Sequence, residues 1–174
     1  MSRVLVLGGA RSGKSAFAES LLEREPSVDY LAAAAVPDDD PEWAARVALH
    51  RLRRPATWRT VETGDIAAEL AEAAPPALLD SVTSWLTRAM DDCDSWSGAT
   101  DGAALAAAID RLVAAWTQSG RRVVAVSDEV GGGIVPESAS GRLFRDTLGT
   151  LNQRLAAAAD EVYFVVAGLP QRLK

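Results

Sequence analysis

The sequence predicts an α/β fold in which helices flank a mostly parallel sheet. Short apolar runs alternate with longer segments of helical periodicity, and this alternation is typical of parallel sheets. The first run, residues 4–7, is apolar throughout and ends at Gly8-Gly9, as expected for a strand buried on both faces. With 174 residues, of which 48% are hydrophobic, the chain is predicted to form one domain, residues 1–174, around a substantial core.

The predicted elements follow one another as repeated strand and helix units. Buried strands are predicted at residues 4–7, 28–33, 77–79, 123–127 and 162–166. Helices are predicted at residues 14–24, 41–54, 66–73, 82–90, 103–118 and 138–159, several of them rich in alanine. Asp40 is a suitable N-cap before Pro41, and Pro55 ends the same segment. Residues 91–101 are acidic and contain Ser and Gly, which predicts an exposed loop.

The composition excludes several classes of protein. The formal net charge of -6 argues against a nucleic-acid or anionic-membrane binder, because such proteins need a basic field. Cys93 is the only cysteine, so no intramolecular disulfide can form. No apolar run approaches the length of a membrane span, and the N-terminal run is too short for a signal peptide. We therefore expect a cytoplasmic protein with no nucleic-acid partner and no membrane span.

The first strand leads directly into a phosphate-binding motif. The segment Gly8-Gly9-Ala10-Arg11-Ser12-Gly13-Lys14-Ser15 matches G-x-x-x-x-G-K-S and stands between a predicted strand and a predicted helix, as a P-loop requires. Glycines let successive N–H groups face the phosphates, and the helix N-terminus adds partial positive charge. Lys14 is predicted to reach the β- and γ-phosphates, and the Ser15 hydroxyl to bind Mg²⁺.

A second feature of phosphate-transfer sites is a carboxylate that ends another central strand. The apolar run at residues 77–79 leads straight into Asp80, which is predicted to hold the metal directly or through water. The alternative is that Asp80 is a helix N-cap at the strand-to-helix turn. The two roles are not exclusive.

The only histidine, His50, lies near the end of the predicted helix 41–54. Helical spacing places Arg46, Arg53 and Arg54 on the same face as the imidazole. Nearby cations favour the neutral ring, and the same guanidinium groups would orient phosphate oxygens. This arrangement suggests a nucleophile directed at a phosphorus atom. The alternative is a solvated basic helix face on which the histidine stands by chance.

Taken together, these motifs resemble one enzyme family over nearly the whole chain. The chain resembles the bifunctional adenosylcobinamide kinase/adenosylcobinamide-phosphate guanylyltransferase family of cobalamin biosynthesis. The P-loop alone is generic, whereas the combination is specific. The segments that carry the resemblance are the P-loop, His50 with Arg54-Pro55-Ala56-Thr57-Trp58-Arg59-Thr60, Glu129-Val130-Gly131, Gly133-Ile134-Val135-Pro136-Glu137, Phe144-Arg145-Asp146, Asn152-Gln153 and Ala159-Asp160-Glu161-Val162.

The resemblance implies two reactions at one site. The first is phosphorylation of the aminopropanol hydroxyl of adenosylcobinamide by ATP or GTP, and the second is transfer of GMP from GTP to that phosphate through a guanylyl-histidine, here His50. It also implies a RecA-like P-loop fold, a homotrimer, and Mg²⁺ with the nucleotide. The implied nucleotide contacts beyond the P-loop are Ala32, Ala33, Ala34, Arg51, Leu52, Arg53, Arg54, Glu62 and Asp80.

The chain departs from the family pattern at three places. Residues 32–34 are all alanine where members often carry threonine or serine, so contacts there must come from the backbone. Ser81 stands where the family often has cysteine. Asp128 replaces the usual asparagine before Glu129, and it is expected either to bind metal or to cap a turn.

Two other functions remain open on the sequence. One is a P-loop small-molecule kinase without nucleotidyl transfer, in which His50 is structural. The other is a non-enzymatic nucleotide-dependent binding module. Trp85, Trp96 and Trp116 are candidates for a subunit interface, although core packing is the commoner fate of tryptophan.

Overall fold

A computed structural model describes residues 2–33, 54–72, 74–97 and 102–174. These residues form one seven-stranded sheet with the strand order β3-β2-β4-β5-β1-β6-β7. The strands are β1 (Arg3–Gly8), β2 (Asp29–Ala32), β3 (Arg59–Glu62), β4 (Ala77–Asp80), β5 (Val123–Asp128), β6 (Glu161–Val166) and β7 (Leu169–Arg172). Every pairing is parallel except the antiparallel pair of β6 and β7.

Helices flank this sheet, as predicted. They are α1 (Lys14–Ser20), α2 (Ile66–Ala71), α3 (Val82–Asp92), α4 (Ala103–Gln118) and α5 (Ala139–Ala158). Three of them begin at a side-chain cap that accepts a backbone N–H: Asp65 before α2, Ser81 before α3 and Ser138 before α5. The predicted helix at residues 41–54 falls almost wholly outside the described residues.

The core lies on both faces of the sheet because side chains alternate along the buried strands. One cluster, which includes Leu5, Leu79 and Ala125, packs against helices α2 to α5. The other includes Val6, Leu78 and Val126 and packs under α1. Trp85 and Trp116 are 7% and 1% exposed, so both tryptophans belong to the core rather than to a free surface. No helix within the described residues is long and apolar enough to cross a bilayer.

The order of the central strands confirms the predicted fold class, a P-loop NTPase with a RecA-like, mostly parallel sheet. Strand β5 separates β1, which leads into the P-loop, from β4, which ends at Asp80. Parallel strands bring their last residues to the same edge, called here the carboxyl edge. At that edge Gly8 is in register with Asp128 of β5 and with Val165 of β6.

Two strands were not predicted, and both lie at the ends of the sheet. Strands β3 and β7 are exposed along most of their length, so neither has the apolar run by which the central strands are recognised. A continuous apolar run marks a strand that is buried on both faces. An edge strand is not buried in this way, so its sequence has no such run.

Helix α1 ends at Ser20, four residues before the predicted end at residue 24. Beyond it the backbone turns more tightly, since Leu22 N–H bonds to the Glu19 carbonyl and Glu25 N–H to the Leu22 carbonyl. The Leu21 carbonyl accepts a bond from Arg122 Nη2 at 3.1 Å instead of continuing the helix. A side chain distant in sequence therefore competes with the helical ladder.

The prediction of an exposed loop at residues 91–101 is also partly wrong. Helix α3 continues through Asp92, and Ser95 is only 5% exposed. Trp96 stacks on Phe144 at 6.0 Å between ring centroids and donates its indole N–H to Asp91. This aromatic contact packs the segment after α3 against α5, although the composition of the segment is typical of a solvated loop.

Candidate active site

The P-loop spans the connection between β1 and α1. Arg11 and Gly13 both have positive φ, at 56° and 93°, and Ser12 N–H bonds back to the Gly9 carbonyl at 3.3 Å. Gly13 stands at the N-cap position and has no side chain with which to cap α1. Apart from a 3.4 Å bond from Lys14 N–H to Ser12 Oγ, the first amides of the helix have no intrahelical acceptor and can bind an anionic ligand.

Steric contacts fix the path of this loop at Gly8. A Cβ atom on Gly8 would lie 2.5 Å from Ser12 Oγ and 2.7 Å from the Val165 carbonyl oxygen. Both distances are below normal contact, so only glycine allows β1, the P-loop and β6 to approach this closely. The first glycine of the motif is thus explained by packing.

The turn between β6 and β7 supports the P-loop from the other side. Ala167 and Gly168 both have positive φ, at 51° and 78°, which is the backbone of a type I′ hairpin. Gly168 N–H donates to the Ser12 carbonyl at 2.8 Å. This turn was missed from the sequence, although a glycine that follows an apolar strand is a usable turn signal.

Lys14 is engaged by a carboxylate of the neighbouring strand. Its Nζ lies 2.6 Å from Asp128 Oδ1, with side-chain exposures of 11% for Lys14 and 27% for Asp128. Lys14 Nζ also donates to the Gly9 carbonyl at 3.2 Å. The turn after β5 is capped instead by Glu129, whose Oε1 accepts from Gly131 N–H at 2.6 Å. The capping role expected for Asp128 is therefore wrong, since its carboxylate pairs with the P-loop lysine.

Asp80 lies at the end of β4, as predicted for a metal-binding carboxylate. Tyr30 Oη donates to Asp80 Oδ2 at 2.8 Å. Burial of the ring, and next the Asp80 carboxylate, raise the pKa of Tyr30, so the phenol stays protonated and remains a donor. The N-cap of α3 is Ser81, whose Oγ accepts from Ser84 N–H at 3.1 Å. The alternative in which Asp80 caps the helix is wrong.

Strand register brings three predicted nucleotide contacts side by side. Ala32 of β2 is the partner of Glu62 on β3 and of Asp80 on β4. Ala33, which follows, is fully buried. Ser15 is half-buried in the first turn of α1. The carboxyl edge therefore presents Lys14 and the loop amides on one side of β5 and two acidic residues on the other.

Arg54 lies against strands β2 and β3. Its guanidinium carbon lies 3.5 Å from the centroid of the Tyr30 ring, and Nη1 donates to Thr60 Oγ1 at 3.2 Å. The cation lies over the aromatic face, a favourable electrostatic contact. The other predicted residues of this region, Ala34, His50, Arg51, Leu52 and Arg53, lie outside the described residues.

The donor set at the carboxyl edge suits a magnesium-bound nucleotide. Mg²⁺ in phosphate-transfer sites is commonly held by one or two protein oxygens together with phosphate oxygens and water. A hydroxyl at Ser15 and a carboxylate at Asp80 provide oxygens of this kind. Within the described ranges no three His, Cys, Asp or Glu side chains form a cluster able to hold a metal by themselves.

Comparison with known proteins identifies the family. Residues 4–173 match the family CobU, described as cobinamide kinase / cobinamide phosphate guanyltransferase. The chain belongs to this family. Within the CobU family, the bifunctional adenosylcobalamin biosynthesis protein CobU of Salmonella typhimurium is 42% identical over 98% of this chain and 99% of its own length.

Two further relatives have the same extent of similarity. The bifunctional adenosylcobalamin biosynthesis protein CobU of Escherichia coli is 43% identical over 98% of this chain and 99% of its own length. The bifunctional adenosylcobalamin biosynthesis protein CobP of Pseudomonas aeruginosa is 41% identical over 99% of this chain and 97% of its own length. Membership of the CobU family and the P-loop together indicate an enzyme of cobalamin biosynthesis that acts on nucleotides and small molecules.

Proposed function

We propose that this chain phosphorylates the aminopropanol hydroxyl of adenosylcobinamide with ATP or GTP, and then transfers GMP from GTP to adenosylcobinamide phosphate. The product is adenosylcobinamide-GDP. The observation that carries the proposal is the match to the CobU family over residues 4–173, which includes an intact P-loop with its lysine at Lys14. The proposed unit is a single domain, residues 1–174, in a cytoplasmic homotrimer.

In the kinase reaction the P-loop holds the triphosphate with its γ-phosphate toward the substrate hydroxyl. Lys14 and the loop amides stabilise the charge that develops on the phosphates during transfer. Mg²⁺ bound there would neutralise part of the charge of the phosphates. We assign its protein contacts to the Ser15 hydroxyl and the Asp80 carboxylate, the latter oriented by the hydrogen bond from Tyr30.

In the guanylyl transfer His50 is the proposed nucleophile. A neutral imidazole nitrogen attacks the α-phosphorus of GTP, a P–N bond forms, and the bond to the β-phosphate breaks so that pyrophosphate leaves. A phosphate oxygen of adenosylcobinamide phosphate then attacks the same phosphorus and releases the histidine. Arg51, Leu52, Arg53 and Arg54 follow His50 directly in sequence, and the guanidinium groups among them would bind phosphate oxygens.

Turnover with adenosylcobinamide, ATP and GTP tests the proposal directly, with the products identified by mass. We expect a product that has gained a phosphate and, with GTP present, a second product that has gained a further GMP. Accumulation of the phosphorylated product alone with GTP present would identify a kinase without nucleotidyl transfer. An unchanged corrinoid together with nucleotide binding would identify a binding module. The Lys14→Ala variant, assayed under the same conditions, gives the background level of turnover.

A further inference from the structure

The ion pair between Lys14 and Asp128 occupies the group that the nucleotide needs. Two of the three ammonium protons of Lys14 are directed to protein acceptors, Asp128 Oδ1 at 2.6 Å and the Gly9 carbonyl at 3.2 Å. The lysine side chain is only 11% exposed. A phosphate that enters the P-loop therefore competes with this carboxylate for the charge of the ammonium.

The backbone of Asp128 is anchored, which keeps this residue beside the P-loop. Asp128 N–H donates to Thr83 Oγ1 at 2.9 Å, and its carbonyl accepts from Asn152 Nδ2 at 3.0 Å. The residue is also the last of β5, in register with Gly8 of β1. Helices α3 and α5 and the central sheet thus fix the position of this residue beside the P-loop.

We propose that Asp128 is an affinity-determining residue, an internal counter-ion that competes with nucleotide phosphate for Lys14. The carboxylate pairs with the ammonium and neutralises its charge. When phosphate binds, the ion pair weakens, and the negative charge of Asp128 remains close to the phosphates. Both effects reduce affinity. The same carboxylate can retake Lys14 when pyrophosphate or a nucleoside diphosphate leaves, which favours product release.

This inference rests on the proposed nucleotide-binding function, and the test separates the two. Binding of GTP without magnesium, in the presence of a chelator, is measured by calorimetry for the natural chain and for Asp128→Asn. Asparagine keeps the size of the side chain and the two backbone contacts while removing the charge. A hydrogen bond between two charged groups is stronger than one between neutral groups, and Asp128→Asn removes such a bond from Lys14. We therefore expect the variant to bind GTP at least about ten-fold more tightly.

A matched control removes one negative charge elsewhere. Asp110 lies on α4 and pairs with Arg154 at 2.7 Å, with its side chain 67% exposed. Asp110→Asn should leave GTP affinity within about two-fold, because exposed pairs are screened. Asp128→Ala removes the carboxylate without adding an amide and should tighten binding in the same direction. Circular dichroism of each variant establishes that it is folded before binding is measured.

The outcomes are distinct. Unchanged or weaker binding of magnesium-free GTP by folded Asp128→Asn overturns the inference. Weaker binding of magnesium GTP, with magnesium-free binding unchanged, would instead assign Asp128 to the metal and would equally overturn it. If the natural chain binds no GTP under any condition, the proposed function itself fails.

Discussion

Two carboxylates, at opposite edges of the same sheet, both form ion pairs but have different consequences. At the amino edge, Asp29 is 2% exposed and bonds to Arg121 Nη2 at 3.2 Å and to Arg59 Nε at 2.8 Å. At the carboxyl edge, Asp128 is 27% exposed and pairs with Lys14. The first carboxylate is buried between two guanidinium groups, whereas the second faces a P-loop.

The difference shows what an ion pair needs in order to exchange partners. Arg121 is 3% exposed and also donates to the Glu69 carbonyl at 3.4 Å, so its contact with Asp29 is closed to ligands from solvent. The pair at Lys14 stands in the P-loop, where the proposed phosphate would compete with the carboxylate. Burial makes the contact of Arg121 with Asp29 structural, whereas partial exposure within the P-loop suits the carboxyl-edge pair to the proposed exchange.

The largest effect is expected on stability at the amino edge. Asp29→Ala leaves a guanidinium buried without its counter-ion, so the free energy of unfolding should fall by about 3–5 kcal/mol. Urea unfolding measures the loss. Asp110→Ala, which breaks an exposed pair, should cost no more than about 1 kcal/mol. Equal losses in the two variants would remove the distinction between the edges.

At the carboxyl edge, a substitution should reduce activity strongly and stability only slightly. Lys14→Ala is expected to lower both kinase and guanylyltransferase turnover by roughly 100- to 1000-fold, because phosphate charge is stabilised there in each reaction. Its free energy of unfolding should change by less than about 1 kcal/mol, since Asp128 is partly exposed and can be solvated. Turnover and urea unfolding are measured on the same preparation. A large loss of stability would class this pair with the one at Asp29.

The packing of the P-loop provides a smaller test. Gly8→Ala places a methyl group 2.5 Å from Ser12 Oγ, and the resulting displacement should cost about 1–3 kcal/mol of unfolding free energy. Gly9→Ala is the matched control, because a Cβ there meets no atom of the described structure within 4 Å. Thermal unfolding compares the two. Equal stability of both variants would show that the loop adjusts freely.

The smallest effect is expected at the hydrogen bond between Tyr30 and Asp80. Tyr30→Phe removes the donor and should raise the magnesium concentration required for half-maximal kinase activity by several-fold. The reason is that the hydrogen bond that orients the carboxylate, which contributes roughly 1 kcal/mol, is lost. Tyr163→Phe, which removes a similar bond to Glu161 at 2.6 Å, serves as the control. A requirement unchanged by Tyr30→Phe would argue against Asp80 as a metal contact.

Central strands and the P-loop could be predicted from the sequence because both are local patterns. A buried parallel strand is a continuous apolar run, and the motif from Gly8 to Ser15 is read directly. Helix α4 was predicted at its observed bounds, residues 103–118, because its apolar stripe is regular. These features depend on neighbouring residues along the chain.

The missed features depend on partners distant in sequence. The pairing of Lys14 with Asp128 follows from strand order, which places β5 beside β1. The support of Ser12 by Gly168 depends on a hairpin between residues 166 and 169 whose second strand, β7, has no apolar run to mark it. The premature end of α1 depends on Arg122. Periodicity carries no information about such contacts, whereas a sheet topology does.

The most direct test of two reactions at one site uses His50→Ala. The natural chain and the variant are each incubated with GTP labelled at the α-phosphate, and in parallel with adenosylcobinamide and γ-labelled ATP. We predict that only the natural chain acquires acid-labile α-label on the protein, while both transfer γ-label to the corrinoid. Persistent α-label on His50→Ala, or loss of γ-transfer together with the α-label, would contradict the assignment of His50 as the guanylyl carrier beside a shared P-loop.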